Sequence, residues 1–438
     1  MKFRGLLIAV VVLLALGGLL YWSNHHKPAE TSTASSTTPS PTLLKFDSAS
    51  VTQVTLAQKG VAPITLVRSE GDHWKITEPK PYPADQDAVS SLLGSLSNLD
   101  ADRVVEDKAS DLKPYGLDDP SLTLDVTLKN HAGHKLLLGD DTPAGSDVYA
   151  MLSGDPRVFT IASYTKTSID KGLGDLRDKR LVTLQPDKVS RFVFDKKGLE
   201  VDFARTKDGW QILKPNSMRA DAFVVDEFVR SVTSARMDLT ANANDHAASD
   251  FAQATPIATV TLTGDQGAQT LSVRKNKDAY FAKSSAVEGI YKVDSSIGTA
   301  VDKNLDDFLN KKLFDFGFET PSKLELHSGG KSWFLTHSGS DWWSNGKKMD
   351  SAAVDSLVEK LRDLSATSFP KSGFSTPDFE VTVTSSDGKT TEKILIAKSG
   401  IAKRDNESEL YQLPASTVAD LTSAADALKP APPPGKSH

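Results

Sequence analysis

A helical pattern of apolar residues occurs three times along this chain, each time shortly after a tryptophan and an aspartate. In the first copy Trp74 is followed by Asp85 and then by apolar residues at the spacing of one helix face. These apolar residues are Val89, Leu92, Leu93, Leu96 and Leu99. Asp85 stands where an N-cap carboxylate would accept hydrogen bonds from first-turn amides. The pattern predicts a strand, a turn and a capped amphipathic helix.

The same arrangement returns twice further along the chain. Trp210 precedes Asp221, and the pair Trp342-Trp343 precedes Asp350. The apolar residues after these aspartates are Val225, Phe228, Val229 and Val232 in the second copy and Val354, Leu357, Val358, Leu361 and Leu364 in the third. We interpret the recurring tryptophans and aspartates as structural residues, for core packing and helix capping. A ligand-stacking role for Trp74 and Trp210 is the alternative, since an indole offers a broad apolar face.

Segments of alternating apolar and polar residues surround each predicted helix, and they outnumber the helices. Such alternation is typical of antiparallel sheets with one face buried. We predict an α+β fold of three tandem repeats, each a mainly antiparallel sheet with one packed amphipathic helix. The predicted repeat units are residues 43–184, 185–318 and 319–429. Residues 430–438 are expected to be a disordered, proline-rich tail.

An apolar segment at residues 5–22 follows the basic residues Lys2 and Arg4. As a helix it would span about 27 Å, enough to cross the hydrocarbon core of a membrane. We predict a single transmembrane anchor, with residues 1–4 in the cytoplasm and the remaining chain on the extracytoplasmic side. A cleaved signal peptide is the alternative, although no Ala-x-Ala pattern follows the segment. Residues 23–42 are rich in Ser, Thr and Pro and are predicted to be a disordered linker.

Composition excludes several classes of site. The 438 residues include no cysteine, so disulfides, thiolate metal sites and a cysteine nucleophile are excluded. The net charge of −6 provides no general attraction to nucleic acid, and no basic run is interleaved with aromatic residues. We therefore expect no nucleic-acid partner.

Two segments could suggest a metal site. His131 and His134 form an H-x-x-H sequence, but it lies in a predicted hairpin turn and offers fewer ligands than zinc needs. Residues 139–147 mix glycine with carboxylates, but they lack the pattern of an EF-hand loop. Phosphate-binding, dinucleotide-binding and hydrolase motifs are absent from the sequence. We expect no catalytic residue, cofactor or metal.

The third copy differs from the other two by its two adjacent tryptophans. Neighbouring residues of a strand face opposite sides of a sheet, so Trp342 and Trp343 cannot both face the core. Trp333, in the preceding predicted strand, adds a third aromatic residue. We predict that an exposed tryptophan among these three contacts a protein partner or a glycan.

Several of these features together resemble the bacterial domain of unknown function 4340 (DUF4340). They are the N-terminal apolar helix, the W-x-I-x-x-P sequences at Trp74 and Trp210, the Ala-Asp helix starts and the Tyr-Gly-Leu sequence at residues 115–117. The resemblance covers the chain after the linker and is weakest in the third unit. It implies a protein tethered to the bacterial inner membrane and facing the periplasm, and an association with ABC-type transport systems of the gliding-motility kind. It implies no catalytic residues.

We expect a non-enzymatic accessory or scaffold protein that docks onto a membrane complex. A transporter is the partner that the resemblance suggests. An envelope glycan- or lipid-binding module is the alternative, and it would need an aromatic-lined pocket with convergent polar groups. An unrecognised hydrolase is a third reading, which a cleft holding histidine and carboxylates within hydrogen-bond reach would favour.

Overall fold

The computed structural model describes residues 40–207, 209–405 and 407–432. The chain divides into two compact units, Met1–Asp178 and Lys179–His438. The described residues form several antiparallel sheets with helices packed against them, which confirms the predicted α+β class. Strands and helices of this part of the chain are numbered in order as β1–β27 and α1–α9.

The first unit contains a nine-stranded sheet and a two-stranded sheet. Its strands are β1 Thr42–Lys45, β2 Val51–Gln58, β3 Ile64–Arg68, β4 Trp74–Glu78, β5 Tyr82–Pro83, β6 Asn98–Asp100, β7 Arg103–Glu106, β8 Leu122–Leu128, β9 Gly133–Asp141, β10 Asp147–Leu152 and β11 Val158–Ala162. Its helices are α1 Gln86–Ser97, α2 Ser163–Ile169 and α3 Leu173–Leu176, with 3₁₀ turns at Ser48–Ser50 and Lys113–Tyr115. The nine strands follow the order β5-β4-β3-β2-β8-β9-β10-β11-β7, and β1 pairs with β6.

The second unit contains two eight-stranded sheets. The strands of the first of them are β12 Arg191–Lys196, β13 Leu199–Thr206, β14 Gly209–Lys214, β15 Met218–Arg219, β16 Thr255–Gly264, β17 Gly267–Asn276, β18 Ala279–Ser284 and β19 Ile290–Val293. Those of the other are β20 Lys323–Ser328, β21 Lys331–Ser338, β22 Asp341–Ser344, β23 Lys347–Lys348, β24 Pro377–Thr384, β25 Thr391–Ala397, β26 Ile401–Arg404 and β27 Leu410–Gln412. The helices are α4 Ala222–Thr233, α5 Ala247–Gln253, α6 Ser295–Val301, α7 Leu305–Phe308, α8 Ser351–Arg362 and α9 Thr417–Asp426, with a 3₁₀ turn at Pro186–Lys188.

The three large sheets, called here the first, second and third sheet in chain order, share one order over eight strands, and the first sheet adds β7 at its edge. In each sheet four strands precede the long helix in the chain, and the first of them pairs with a strand that follows that helix. These central pairs are β2 with β8, β12 with β16 and β20 with β24. The long helices are α1, α4 and α8. Residues of different sheets can therefore be compared by their position in the strand register.

The first long helix forms where the apolar spacing predicted it. Val89, Leu92, Leu93 and Leu96 are its buried residues, and they face the core of the first unit. Leu99 was expected on the same helix face, but the helix ends at Ser97 and Leu99 lies in β6, paired with Leu44. Leu364 likewise lies beyond the end of α8, at Arg362. Both leucines are buried, because the chain continues along the core after it leaves the helix.

A buried tryptophan occupies the same register position in each sheet, opposite a basic or imidazole side chain on the neighbouring strand. The pairs are Arg68 with Trp74, Arg205 with Trp210 and His337 with Trp342. The guanidinium carbons of Arg68 and Arg205 lie 4.9 and 4.6 Å from the indole centroids of their partners. The rings of His337 and Trp342 lie 4.9 Å apart. Each tryptophan is part of a hydrophobic core.

The aspartates at the starts of the long helices differ in one respect. Asp85 and Asp221 each accept hydrogen bonds from two first-turn amides, at 3.0 to 3.1 Å. Asp350 lies at the same N-cap position, but its side chain makes no capping hydrogen bond, which corrects the expectation for the third copy. The backbone amide of Asp350 donates to Lys429 O, just as the amide of Asp85 donates to Leu176 O.

The three caps therefore predict different costs of substitution. Asp85→Ala and Asp221→Ala should each lower the free energy of unfolding by about 1 kcal/mol, because each removes acceptors for first-turn amides. Asp350→Ala should lower it by at most about 0.5 kcal/mol, the contribution of a carboxylate near a helix N-terminus. Urea unfolding of the three variants measures the difference. Equal losses at all three positions would contradict the assignment.

The structure extends the expected architecture in one respect. Each large sheet packs with at least one shorter helix besides its long one, such as α2 and α3 in the first unit, so one helix per sheet was too few. Within the described ranges, no helix combines the length and apolar character needed to cross a membrane. The span predicted at residues 5–22 lies outside those ranges.

Candidate functional site

The tryptophan pair of the third copy lies in β22, and its two members face opposite sides of the third sheet. Trp342 is fully buried and its indole Nε1 donates to Asp355 Oδ1 at 2.9 Å. Trp343 pairs with Thr336 and Lys348 on neighbouring strands and keeps 39% of its surface exposed. Of these two predicted contact residues, Trp343 is the one that solvent can reach.

The structure does not bring the three predicted tryptophans together. Trp333 pairs with Leu326 in the sheet, and it is a half-buried residue that packs against the core of the third sheet. It therefore lies on the same side as Trp342 and on the opposite side from Trp343. A partner that contacts Trp343 on the outer face would meet neither of the other two indoles.

Other aromatic residues accompany Trp343 on the outer face. Phe334, two residues before Thr336 on β21, is 48% exposed. His327 lies diagonally across from Phe334 on β20, with ring centroids 5.5 Å apart and an interplanar angle of 78°. Phe334 and Trp343 are likewise diagonal neighbours, which sets them about 7 to 8 Å apart. We call His327, Phe334 and Trp343 the aromatic row.

The other two sheets carry polar residues at the position of Phe334. Counted from the buried tryptophan, Phe334 corresponds to Thr65 in the first sheet and to Asp202 in the second. Thr65 donates to Glu78 Oε2 at 2.9 Å, and Asp202 accepts two hydrogen bonds from Arg191 at 2.9 and 2.6 Å. These side chains have partners within their own sheets. The exposed aromatic surface distinguishes the third sheet from the other two.

Charges of both signs surround the aromatic row. Glu325 pairs with Phe334 across β20 and β21, and Glu380 pairs with His327 across β20 and β24. Lys393 Nζ lies 2.6 Å from Glu380 Oε1, and this side-chain hydrogen bond raises the pKa of Lys393 above its ordinary value. The His327 ring nitrogen Nδ1 lies 2.8 Å from Ser332 Oγ. The surface combines apolar contact area with a polar rim, the usual anatomy of a binding patch.

The histidines considered as metal ligands lie in a hairpin. His131 has a φ of +63° in the turn between β8 and β9, and the His134 ring stacks on Phe46 with centroids 5.7 Å apart. His131 therefore lies in the predicted turn, whereas His134 lies in strand β9, paired with Val126. Within residues 40–432, the two undescribed positions apart, no group of three or more His, Asp or Glu side chains is arranged to hold a metal ion.

Sequence reasoning missed Phe334 and His327. Strand parity could have found Phe334, because residues 333 and 335 alternate with it and are apolar, as core-facing residues are. His327 needed the register between β20 and β21, and a one-residue slip would have placed it on the other face. The sequence alone does not specify that register.

The model of the family described as domain of unknown function (DUF4340) matches residues 74–222 and 210–380. The chain belongs to the DUF4340 family. The two matches begin at Trp74 and Trp210, which occupy the same register position in the first and second sheets. The second DUF4340 match includes all three strands of the aromatic row, β20, β21 and β22. The search of curated proteins gives no significant match. The search of solved structures gives none either.

Proposed function

We propose that this DUF4340 protein is a non-enzymatic, membrane-anchored scaffold that binds a protein of the same membrane through the aromatic row. The observation that carries the proposal is the exposure of Trp343 and Phe334 side by side on the outer face of the third sheet. Large aromatic side chains at a partly exposed surface are typical of the centres of protein interfaces. The register-equivalent residues of the other sheets have no such character.

The proposed architecture is three copies of one unit behind a transmembrane anchor. The shared strand order, the buried tryptophan opposite a basic or imidazole side chain, and family matches that begin at Trp74 and Trp210 support the repeat. The proposed units are residues 43–184, 185–318 and 319–429. Residues 5–22 would form the anchor and hold the folded chain on the extracytoplasmic side of the bacterial inner membrane. An ABC-type transport system is the proposed partner complex.

Site-specific photocrosslinking in native membranes tests the partner. A benzophenone amino acid at position 343 of the full chain should crosslink to one membrane protein. The same group at Gln211, the register equivalent of Trp343 in the second sheet, is the matched control and should not. Identical products from both positions, or none from position 343, would overturn the proposal. A transporter subunit in the product would support the proposed complex.

Truncation of the aromatic row should weaken partner binding without unfolding the chain. Trp343→Ala should reduce affinity by about 30-fold, the loss typical of an interface hot-spot residue. Phe334→Ala should have a smaller effect in the same direction. Binding of the full chain to the crosslinked partner in detergent measures both. Unchanged affinity in folded Trp343→Ala would exclude the row as the contact.

The second candidate is an envelope glycan- or lipid-binding module, and the same row favours it because an indole also stacks on sugar rings. Purified full-length chain would then bind envelope glycans or lipid in the absence of any protein, and Trp343→Ala would abolish that binding. A protein crosslink from position 343 with no glycan or lipid binding distinguishes the scaffold from this alternative.

A further inference from the structure

The segment between the second and third sheets forms hydrogen bonds to both of them. Asn310 N donates to Arg219 O of β15 at 3.0 Å. On the other side Leu313 N donates to Leu364 O at 3.0 Å, and Ala366 N donates to Lys311 O at 2.8 Å. We call residues 309–315 the connector. Its backbone is thus paired with the edge strand β15 of the second sheet and with residues 364–366, which lie between α8 and β24.

The Arg219 side chain crosses the same boundary. It lies at the edge of the second sheet, and its Nε is 2.7 Å from Glu407 Oε1 in the loop between β26 and β27 of the third sheet. This is an ion-pair contact rather than a linear hydrogen bond. Arg219 also contacts the Asp315 carboxylate and the Lys312 carbonyl of the connector, and its Nη2 donates to Tyr411 Oη at 3.3 Å. One side chain thus reaches the connector and two residues of the third sheet.

A second arginine continues the network inside the third sheet. Arg404 Nε donates to Glu407 Oε1 at 2.7 Å and its Nη2 donates to Glu392 Oε1 at 2.9 Å. Glu392 in turn accepts from the amide of Asp315 in the connector, at 3.0 and 3.1 Å. The side chains of Glu392, Glu407 and Arg404 are 8 to 13% exposed, so water competes little for these contacts.

Apolar packing covers the network on one side. Phe369 packs against the cores of both the second and the third sheet. Tyr411 is buried, its ring meets Phe369 edge to face at 5.4 Å, and its hydroxyl donates to Glu407. Burial raises the pKa of Tyr411, so the hydroxyl keeps the proton that it donates.

The charges in this environment depend on one another. Burial alone would lower the pKa of Arg219, but the neighbouring Asp315, Tyr411 and Glu407 outweigh it and raise that pKa, so the guanidinium stays charged. Removal of one member of a buried ion pair leaves its partner uncompensated, which is far costlier than the loss of an exposed pair. The register-equivalent residues of Arg219 are Pro83 in the first sheet and Lys348 in the third. Lys348 pairs with Asp341 of its own sheet, so the arrangement at Arg219 is particular to the second sheet.

We propose that Arg219, Glu407, Tyr411 and the connector form a joint that locks the second and third sheets into one rigid body. The inference does not rest on the proposed function. The joint fixes the arrangement of the two sheets, and its loss allows them to move relative to one another while each remains folded. The sheet that carries the aromatic row is thereby held by a contact remote from that row.

Amide hydrogen exchange of the full chain tests the joint directly. In Arg219→Met the amides of Leu313 and Ala366 should exchange about 100-fold faster, the change expected for the loss of a buried ion-pair partner. Amides inside β12 and β24 should keep their rates. Arg191→Met is the matched control, because Arg191 pairs with buried Asp202 within the second sheet. It should accelerate exchange in β13 and leave the connector unchanged.

A distance measurement tests whether the sheets separate. The chain has no cysteine, so spin labels can be placed at Gln266→Cys and Thr390→Cys, in exposed turns of the second and third sheets. We expect one narrow distance distribution in the parent and in Arg191→Met, and a broad one in Arg219→Met. Glu407→Gln removes the charge with little change of shape, and should broaden the distribution if Arg219→Met does not fold. A narrow distribution with unchanged connector exchange in either folded variant would overturn the proposal.

Discussion

Trp342→Ala is expected to lower the free energy of unfolding of the second compact unit by about 4 kcal/mol. The indole is fully buried among the core residues of the third sheet, and its Nε1 donates to Asp355 on α8. Truncation would leave a cavity between the sheet and that helix and remove the hydrogen bond. Urea unfolding followed by circular dichroism measures the loss.

The neighbouring residue provides the control for this prediction. Trp343→Ala removes a side chain of the same size from the outer face of the same strand, where it is partly exposed. We expect a smaller loss than for Trp342→Ala, about 1 to 2 kcal/mol, because part of the indole already contacts water and its removal leaves no closed cavity. Similar losses for both variants would contradict the opposite orientation of the two indoles. The contrast also makes Trp343→Ala usable for binding measurements.

Gly139→Ala is expected to destabilise the first unit by about 3 kcal/mol, the upper part of the range for an overpacked site. A Cβ on Gly139 would lie 2.0 Å from Tyr115 O and 3.1 Å from Gly116 C, which are backbone atoms. The loop cannot easily move away, because the Tyr115 hydroxyl donates to Glu106 Oε2 at 2.7 Å and its ring meets Tyr149 at 5.0 Å. Thermal unfolding of the full chain measures the effect.

Gly94→Ala is the matched control for this substitution. Gly94 is an exposed residue inside α1, and no atom lies within 4 Å of the Cβ that alanine would add. Alanine should therefore stabilise the unit by about 0.5 to 1 kcal/mol, since glycine is a poor helix former. Opposite signs for the two substitutions are the expected result. Destabilisation by both would indicate that the contact with Tyr115 is not the cause.

The local sequence pattern was sufficient to predict the long helices, because the residues that specify each helix lie close together in the chain. The apolar spacing after Asp85, Asp221 and Asp350 predicted α1, α4 and α8, and the alternating segments predicted the antiparallel class. The same reasoning placed Leu99 and Leu364 on helix faces, because a buried leucine has the same pattern whether the helix continues or has just ended. The local pattern also could not predict that Asp350 makes no capping hydrogen bond with its side chain, since its residue type and position match those of the other two caps.

The candidate site was predictable only in part. Adjacent tryptophans in a strand must diverge, and that argument anticipated one exposed indole at residues 342 and 343. It could not identify which of the two is exposed. That depends on how β21 and β22 align, and strand register is set by contacts between residues distant in sequence.

The amino-acid pattern alone established the strand–helix units and family membership, because these depend on neighbouring residues and their spacing. It also established the tryptophan in a strand before each long helix and the aspartate at the start of that helix. Pairing between distant segments established the aromatic row and the joint. His327 meets Phe334, and Arg219 meets Glu407, only after three-dimensional folding has aligned strands and brought two sheets together. No spacing along the chain encodes such contacts, since each depends on the register and packing of elements that fold separately.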